Sequence, residues 1–154
     1  MTSTVSESLD VNAPPDVVYV LVADLPAMGQ WSPECTAVEW RGEVSEPVVG
    51  ARFKGHNRKG RRRWSADGVV VAAEPGRKFA FDISTMRIPV AHWSYEFTAR
   101  DGGCTVTERW ADQRPAWFMP LTRVATGVAD RATRNGETMR TTLERIKAAA
   151  EGAE

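Results

Sequence analysis

Between Thr36 and Ala111 apolar and polar residues alternate in short runs broken by turn residues, and after Pro115 the alternation stops. Apolar positions then fall at Leu121, Val124, Ala125, Val128, Ala132, Met139, Leu143 and Ile146, spaced mostly by three, four or seven. Period-two alternation puts one face of each strand on a core, and the later spacing marks one face of a long helix. A chain ordered this way has to bury a sheet face and a helix face against each other.

The turn signals divide the alternating region. Thr36 to Glu43 reads as a strand, followed after Pro47 and Gly50 by Ala51 to Asn57, then Arg61 to Ala73 and Arg77 to Ile83. Val90 to Ala99 and Cys104 to Ala111 form a hairpin around Asp101-Gly102-Gly103, and Arg58-Lys59-Gly60 suits another hairpin tip. Thr4 to Val11 adds a first strand, making seven. Between it and Thr36, APPDVVYVLVADLPAMGQW has helical spacing at Val17, Val18, Leu21 and Val22, opened by Pro14, Pro15 and Asp16. Asp24-Leu25-Pro26 ends that helix, and a second short helical turn follows. Gly127 and Gly136 interrupt the long helix, each costing about 1 kcal/mol relative to Ala. The expectation is one α+β domain over residues 1–154: a curved seven-stranded antiparallel sheet wrapped around a long C-terminal helix, with flexible ends at about 1–3 and 149–154.

Charge narrows the function classes. The chain carries 20 basic and 20 acidic residues, whereas a dedicated nucleic-acid binder is usually clearly basic. The charges are unevenly placed. Residues 1–50 hold eight acids and one base, and residues 51–63 hold seven bases and no acid. Cys35 and Cys104 lie far apart without a CxxC, which reads as two reduced thiols in a cytoplasmic protein. The start, MTSTVSESLD, lacks the basic and apolar regions of a signal peptide. No run approaches the ~18 apolar residues of a membrane span.

The element order and several local signatures resemble the helix-grip superfamily (START-like, Bet v 1-like, SRPBCC), most of all its bacterial polyketide cyclase/dehydrase-type branch. The pieces that carry the resemblance are VNAPPDVVYVLVADLPAMGQWSPEC, GARFKGHNRKGRRRW, EPGRKFAFDI, AHWSYEF followed by GGCTVTERW, and the closing TLERIKAAAE. The resemblance covers nearly the whole chain. It implies a hydrophobic cavity between sheet and long helix, which in the superfamily holds lipids, sterols, polyketides or hormones. Some members catalyse cyclisation or dehydration there, and many are binders.

Strand parity assigns faces. With Phe53 inward, Gly55 and Asn57 follow it, and Arg52, Lys54, His56 and Arg58 face out. Trp64, Ala66, Gly68 and Val70 form the inward set of the next strand, with Arg61 and Arg63 outward and Lys59 and Arg62 near the tip. The basic hairpin 52–63 therefore reads either as a solvated convex surface or as a docking patch for RNA, acidic lipid headgroups or an acidic protein. No aromatic interleaves the outward bases, so stacking on nucleic acid is poorly supported.

The inward sets are aromatic: Val38 and Trp40; Phe79 and Phe81; Trp93, Tyr95 and Phe97; Val106, Glu108 and Trp110. Such side chains either fill a core or line a pocket with a few placed polar groups. Glu108 is the informative one, since a buried carboxylate needs a partner or a raised pKa. One reading pairs it with Arg123 or Arg131 of the closing helix. The other makes it the polar anchor, or acid/base, of the pocket, with Tyr95 donating to a ligand carbonyl. Asn57 serves its own turn or the pocket, and Trp31 forms part of the cavity mouth or caps the neighbouring helix.

The candidate ligand-binding set is thus Trp31, Trp40, Phe53, Trp64, Phe79, Phe81, Trp93, Tyr95, Glu108, Trp110, Val124 and Val128, with Glu108 and Tyr95 as catalytic candidates. His56 and His92 fall on outward sets without ligand spacing, so no metal is expected, nor any cofactor. The expected partner is a small hydrophobic ligand, held by a monomer or homodimer with no membrane span. The functional expectation is a carrier or binder, with a cyclase/dehydratase and a basic-hairpin interaction module as rivals.

Overall fold

The computed structural model describes residues 3–152. Seven strands form one antiparallel sheet in the order β1-β7-β6-β5-β4-β3-β2. They are β1 (Thr4–Val11), β2 (Cys35–Arg41), β3 (Arg52–Lys59), β4 (Arg62–Glu74), β5 (Lys78–Thr85), β6 (Ile88–Arg100) and β7 (Gly103–Asp112). Helix α1 (Pro15–Ala23) and a 3-10 turn (Leu25–Gln30) join β1 to β2. The fold is the helix-grip α+β arrangement, with the sheet packed on a long C-terminal helix.

That helix differs from the sequence expectation. It begins only at Arg131, as α3 (Arg131–Gly152), preceded by a separate α2 (Met119–Thr126). Gly127, at φ 72°, caps α2 in the left-handed region, a conformation that ends a helix and that Gly adopts without a Cβ penalty. Gly136 does not interrupt α3; it is buried where the helix passes β1. The helix also continues further than expected. Ala150 is buried and Glu151 accepts a 2.9 Å hydrogen bond from the Asn12 backbone N–H. Residues 1, 2, 153 and 154, where flexible ends were expected, lie outside the described residues.

The concave side of the sheet is used in two halves. Under α1 and the C-terminal part of α3, Val18, Val22, Phe79, Phe97, Leu143 and Ile146 pack into a closed core. Tyr19 inserts between Phe79 and Phe97 with ring centroids 6.0 and 5.6 Å away. At the other end, where β3 and β5 turn back and β7 leaves the sheet, the sheet and helices enclose a space instead of filling it. Bulges at β2, β4 and β5–β6 interrupt the registers on this sheet and sharpen its curvature.

Candidate functional site: an aromatic cavity under a polar helix face

The cavity has a volume of about 210 Å³. Its sheet wall carries the inward side chains that parity selects: Phe53, Trp64, Phe81, Trp93, Tyr95 and Trp110, with Glu108 among them. Successive inward positions along antiparallel neighbours meet side by side, so Trp93 lies opposite Trp110 and Tyr95 opposite Glu108.

Glu108 is 2% exposed. Tyr95 Oη donates a 2.8 Å hydrogen bond to its Oε2, and the buried Oε1 has no partner. Burial pushes the carboxyl up to about 8; the Tyr95 hydrogen bond pulls against it, and Glu7, the opposite residue on β1, raises it further. The carboxyl therefore keeps its proton at neutral pH. Burial, with the nearby Glu108, also raises the Tyr95 phenol well above its ordinary value. Burial pushes the Cys35 thiol, also on the cavity wall, to about 11. The wall is uncharged near neutral pH at all three groups. Since Oε2 already accepts from Tyr95, Oε1 is the carboxyl oxygen left without a partner among the described residues.

The helical side is polar. Arg131, Asn135, Thr138 and Thr142 line the cavity from α3, at the 0, 4, 7 and 11 positions of one helix face. Thr138 and Thr142 return their hydroxyl protons to the backbone carbonyls of Asn135 and Thr138, at 3.1 and 2.7 Å. Arg131 Nη1 donates 2.6 Å to Glu34 Oε1 and 3.3 Å to Asn135 Oδ1, and its guanidinium lies 5.7 Å from the Trp64 ring centre. Glu34 also accepts from Arg134 at 3.3 Å. At the rim, Arg114 grips Asp112 through two nitrogens at 2.9 and 2.7 Å and donates 2.6 Å to Thr122. Burial alone would raise Asp112, but the bonds and charge of Arg114, with the charge of Arg131, hold its carboxyl below the usual range.

The structure brings seven of the twelve predicted ligand-binding residues onto this wall: Phe53, Trp64, Phe81, Trp93, Tyr95, Glu108 and Trp110. The other five are elsewhere. Phe79 is fully buried in the closed core. Trp40 packs edge-on behind Phe53, with ring centres 6.3 Å apart. Trp31 belongs to the core cluster, and its indole N–H lacks a partner. Val128 is buried off the lining, and Val124 points away, 73% exposed. The expected ion pair between Glu108 and Arg123 or Arg131 does not form: Arg131 is committed to Glu34, and Glu108 pairs with Tyr95.

The sequence reading missed Glu34, Arg114, Asn135, Thr138 and Thr142. A signal for the last three exists: they are uncharged polar residues on one face of a helix whose other polar positions are mostly Arg, Lys or Glu. His56 and His92 sit on the outer face, paired with Glu39 at 2.8 Å and Asp82 at 2.6 Å. Among the described residues no cluster of His, Cys, Asp and Glu is arranged to hold a metal, and no helix is long and apolar enough to cross a membrane.

Residues 2–151 match the family model for "Polyketide cyclase / dehydrase and lipid transport". The chain belongs to that family. Proteins of this polyketide cyclase / lipid transport family bind hydrophobic ligands or cyclise polyketides. No curated protein matches the sequence. Among solved structures, the chain is similar to the di-domain ARO/CYC StfQ from the steffimycin biosynthetic pathway, with a TM-score of 0.77 and 16% identity. That match covers 99% of this chain and 51% of StfQ, so the chain spans about half the length of that protein. It is also similar to Ara h 8.0201, at a TM-score of 0.71 and 11% identity, covering 99% of both chains. The Polyketide_cyc-like protein Cgl2372 from Corynebacterium glutamicum is 28% identical at a TM-score of 0.55, covering 99% of this chain and 85% of that one.

Proposed function

We propose that the protein binds one small, largely hydrophobic or aromatic ligand in the cavity, as a non-catalytic binder or carrier. The observation that supports this most is the division of the walls. Six aromatic rings on the sheet face a helix stripe of Asn, Thr and Arg, with one protonated carboxyl set among the rings. Such a space favours a flat apolar body with a hydrogen-bond acceptor near Glu108 Oε1 and further oxygens toward α3. Glu34, Asp112, Arg114 and Arg131 are paired with one another, which leaves no free charge demanding a charged guest.

A second reading is a cyclase- or dehydratase-type enzyme. The Tyr95–Glu108 pair favours it, because a carboxyl with a pKa near 8 is a competent general acid at neutral pH. Tyr95 would then hold the carboxyl in place while Oε1 delivers the proton to a substrate oxygen.

Native mass spectrometry of the purified protein, followed by extraction of any bound compound, tests the binding reading. A one-to-one adduct with an apolar compound supports it. A protein that arrives empty and takes up none of a panel of fatty acids, sterols and aromatic polyketides contradicts it. The Glu108→Gln variant separates carrier from enzyme: a carrier keeps binding, and an enzyme loses turnover while keeping its fold.

A further inference from the structure

Helix α2 has its polarity reversed. Thr122 and Thr126 face the cavity, while Trp117, just before the helix, with Leu121 and Val124 forms an outer stripe, 62%, 57% and 73% exposed. Met86, at the tip of the β5–β6 hairpin, is 77% exposed. The β3–β4 tip lies against the same helix: Arg62 Nε donates 3.1 Å to the Val124 carbonyl, and its side chain lies against Gly127. Thr85 and Val90, flanking the Met86 tip, line the cavity together with Thr122 and Thr126. The three segments 57–64, 84–90 and 113–129 thus surround one end of the cavity. Together they hold eight bases and no acid. Arg114 is taken by Asp112. Arg58, Lys59, Arg61, Arg62, Arg63, Arg87 and Arg123 make no ion pair among the described residues.

We infer that this end of the molecule docks on an anionic lipid bilayer. Water disfavours a stripe of Trp, Leu, Val and Met held outward, whereas the interfacial layer of a membrane accepts both the apolar side chains and an exposed indole. Seven unpaired cations around the stripe match a negatively charged headgroup surface and set the orientation. A nucleic acid would use the cations and leave the aliphatic stripe in water. Docking in this pose places the α2 side of the cavity against the bilayer, where an apolar ligand is taken up or released. The inference does not depend on the cavity being occupied, because it concerns only the outer surface.

Sedimentation with phosphatidylcholine vesicles, with and without phosphatidylglycerol, tests it. The protein is expected to bind the phosphatidylglycerol vesicles at low salt, to release as salt rises, and to ignore pure phosphatidylcholine. One charge-reversing pair of changes, Arg61→Glu with Arg63→Glu, should weaken binding about tenfold or more. Trp117→Ser with Leu121→Ser should weaken it comparably, with thermal unfolding used to verify the fold. Met86→Ser with Val124→Ser repeats the apolar test should the first pair destabilise the protein. No binding to anionic vesicles would overturn the inference. So would binding that both apolar variants retain in full, or capture of single-stranded RNA in place of vesicles.

Discussion

Tyr95 and Glu108 stand directly opposite each other on β6 and β7, and the phenol donates 2.8 Å to Glu108 Oε2 while Oε1 stays buried and unpartnered. The register of one antiparallel ladder therefore brings the phenol against one carboxyl oxygen and leaves the other without a partner among the described residues.

The raised pKa makes stability depend on pH. The folded carboxyl titrates near 8 against an ordinary value of 4.5. Above 4.5 the unfolded chain releases a proton that the folded one keeps, so the contribution of Glu108 to stability is fully present below 4.5 and is lost as pH rises toward 8. The slope is at most about 1.4 kcal/mol per pH unit. Glu108→Gln should flatten this fall, which chemical denaturation at several pH values checks; an unchanged slope would show that Glu108 is not its source.

Tyr95→Phe removes the hydrogen bond that holds the Glu108 carboxyl down. The carboxyl should then titrate at higher pH, and the protein should lose about 1–3 kcal/mol, because Oε2 joins Oε1 without a partner. Carboxyl infrared difference spectra against pH read the titration directly.

Gly68 leaves the room that the Phe53 ring of the cavity wall occupies. A Cβ there would fall 2.1 Å from Phe53 Cζ, and Phe53 is itself a cavity residue packed against Trp40 and Phe81. Gly68→Ala should displace the Phe53 ring, costing about 1–3 kcal/mol, and should weaken ligand binding more than it lowers the melting temperature would suggest. Equal affinity with normal stability would mean that the ring yields freely.

Glu34 joins β2's approach to the start of α3 through Arg131 and Arg134. Glu34→Ala leaves two guanidinium groups unpaired, Arg131 only 13% exposed at its side chain, with an expected loss of about 3 kcal/mol. Thermal unfolding checks the magnitude. Restored stability in Glu34→Asp would show that the charge, and not the reach of the side chain, carries the effect.

The sheet wall was legible because strands alternate strictly. Once Phe53 was set inward, parity placed Trp64, Trp93, Tyr95, Glu108 and Trp110 on the same side, and the cavity lining includes them all. The helices were less legible. Apolar spacing on α2 suggests an inward Val124, yet Thr122 and Thr126 take that face; periodicity finds a stripe without saying which side meets water. It also ran α2 and α3 together, because the residues across Gly127 keep their spacing while the backbone turns. The Glu34 brace spans about a hundred residues, and no local pattern announces such a pair. Phe79 and Phe53 look alike in sequence; what separates core from cavity is the placement of α1, which covers one half of the sheet and leaves the other.

The most direct test of the account is to fill the cavity and measure binding. Ala66 lines it on β4, so Ala66→Phe puts a ring into the space without touching the closed core. Titration with an anilinonaphthalene sulfonate dye, wild type against this variant, reads occupancy, with circular dichroism verifying the fold. The account predicts saturable one-to-one binding by the wild type and its loss in a folded Ala66→Phe. Equal dye affinity in both proteins would put the site outside the cavity and contradict the account.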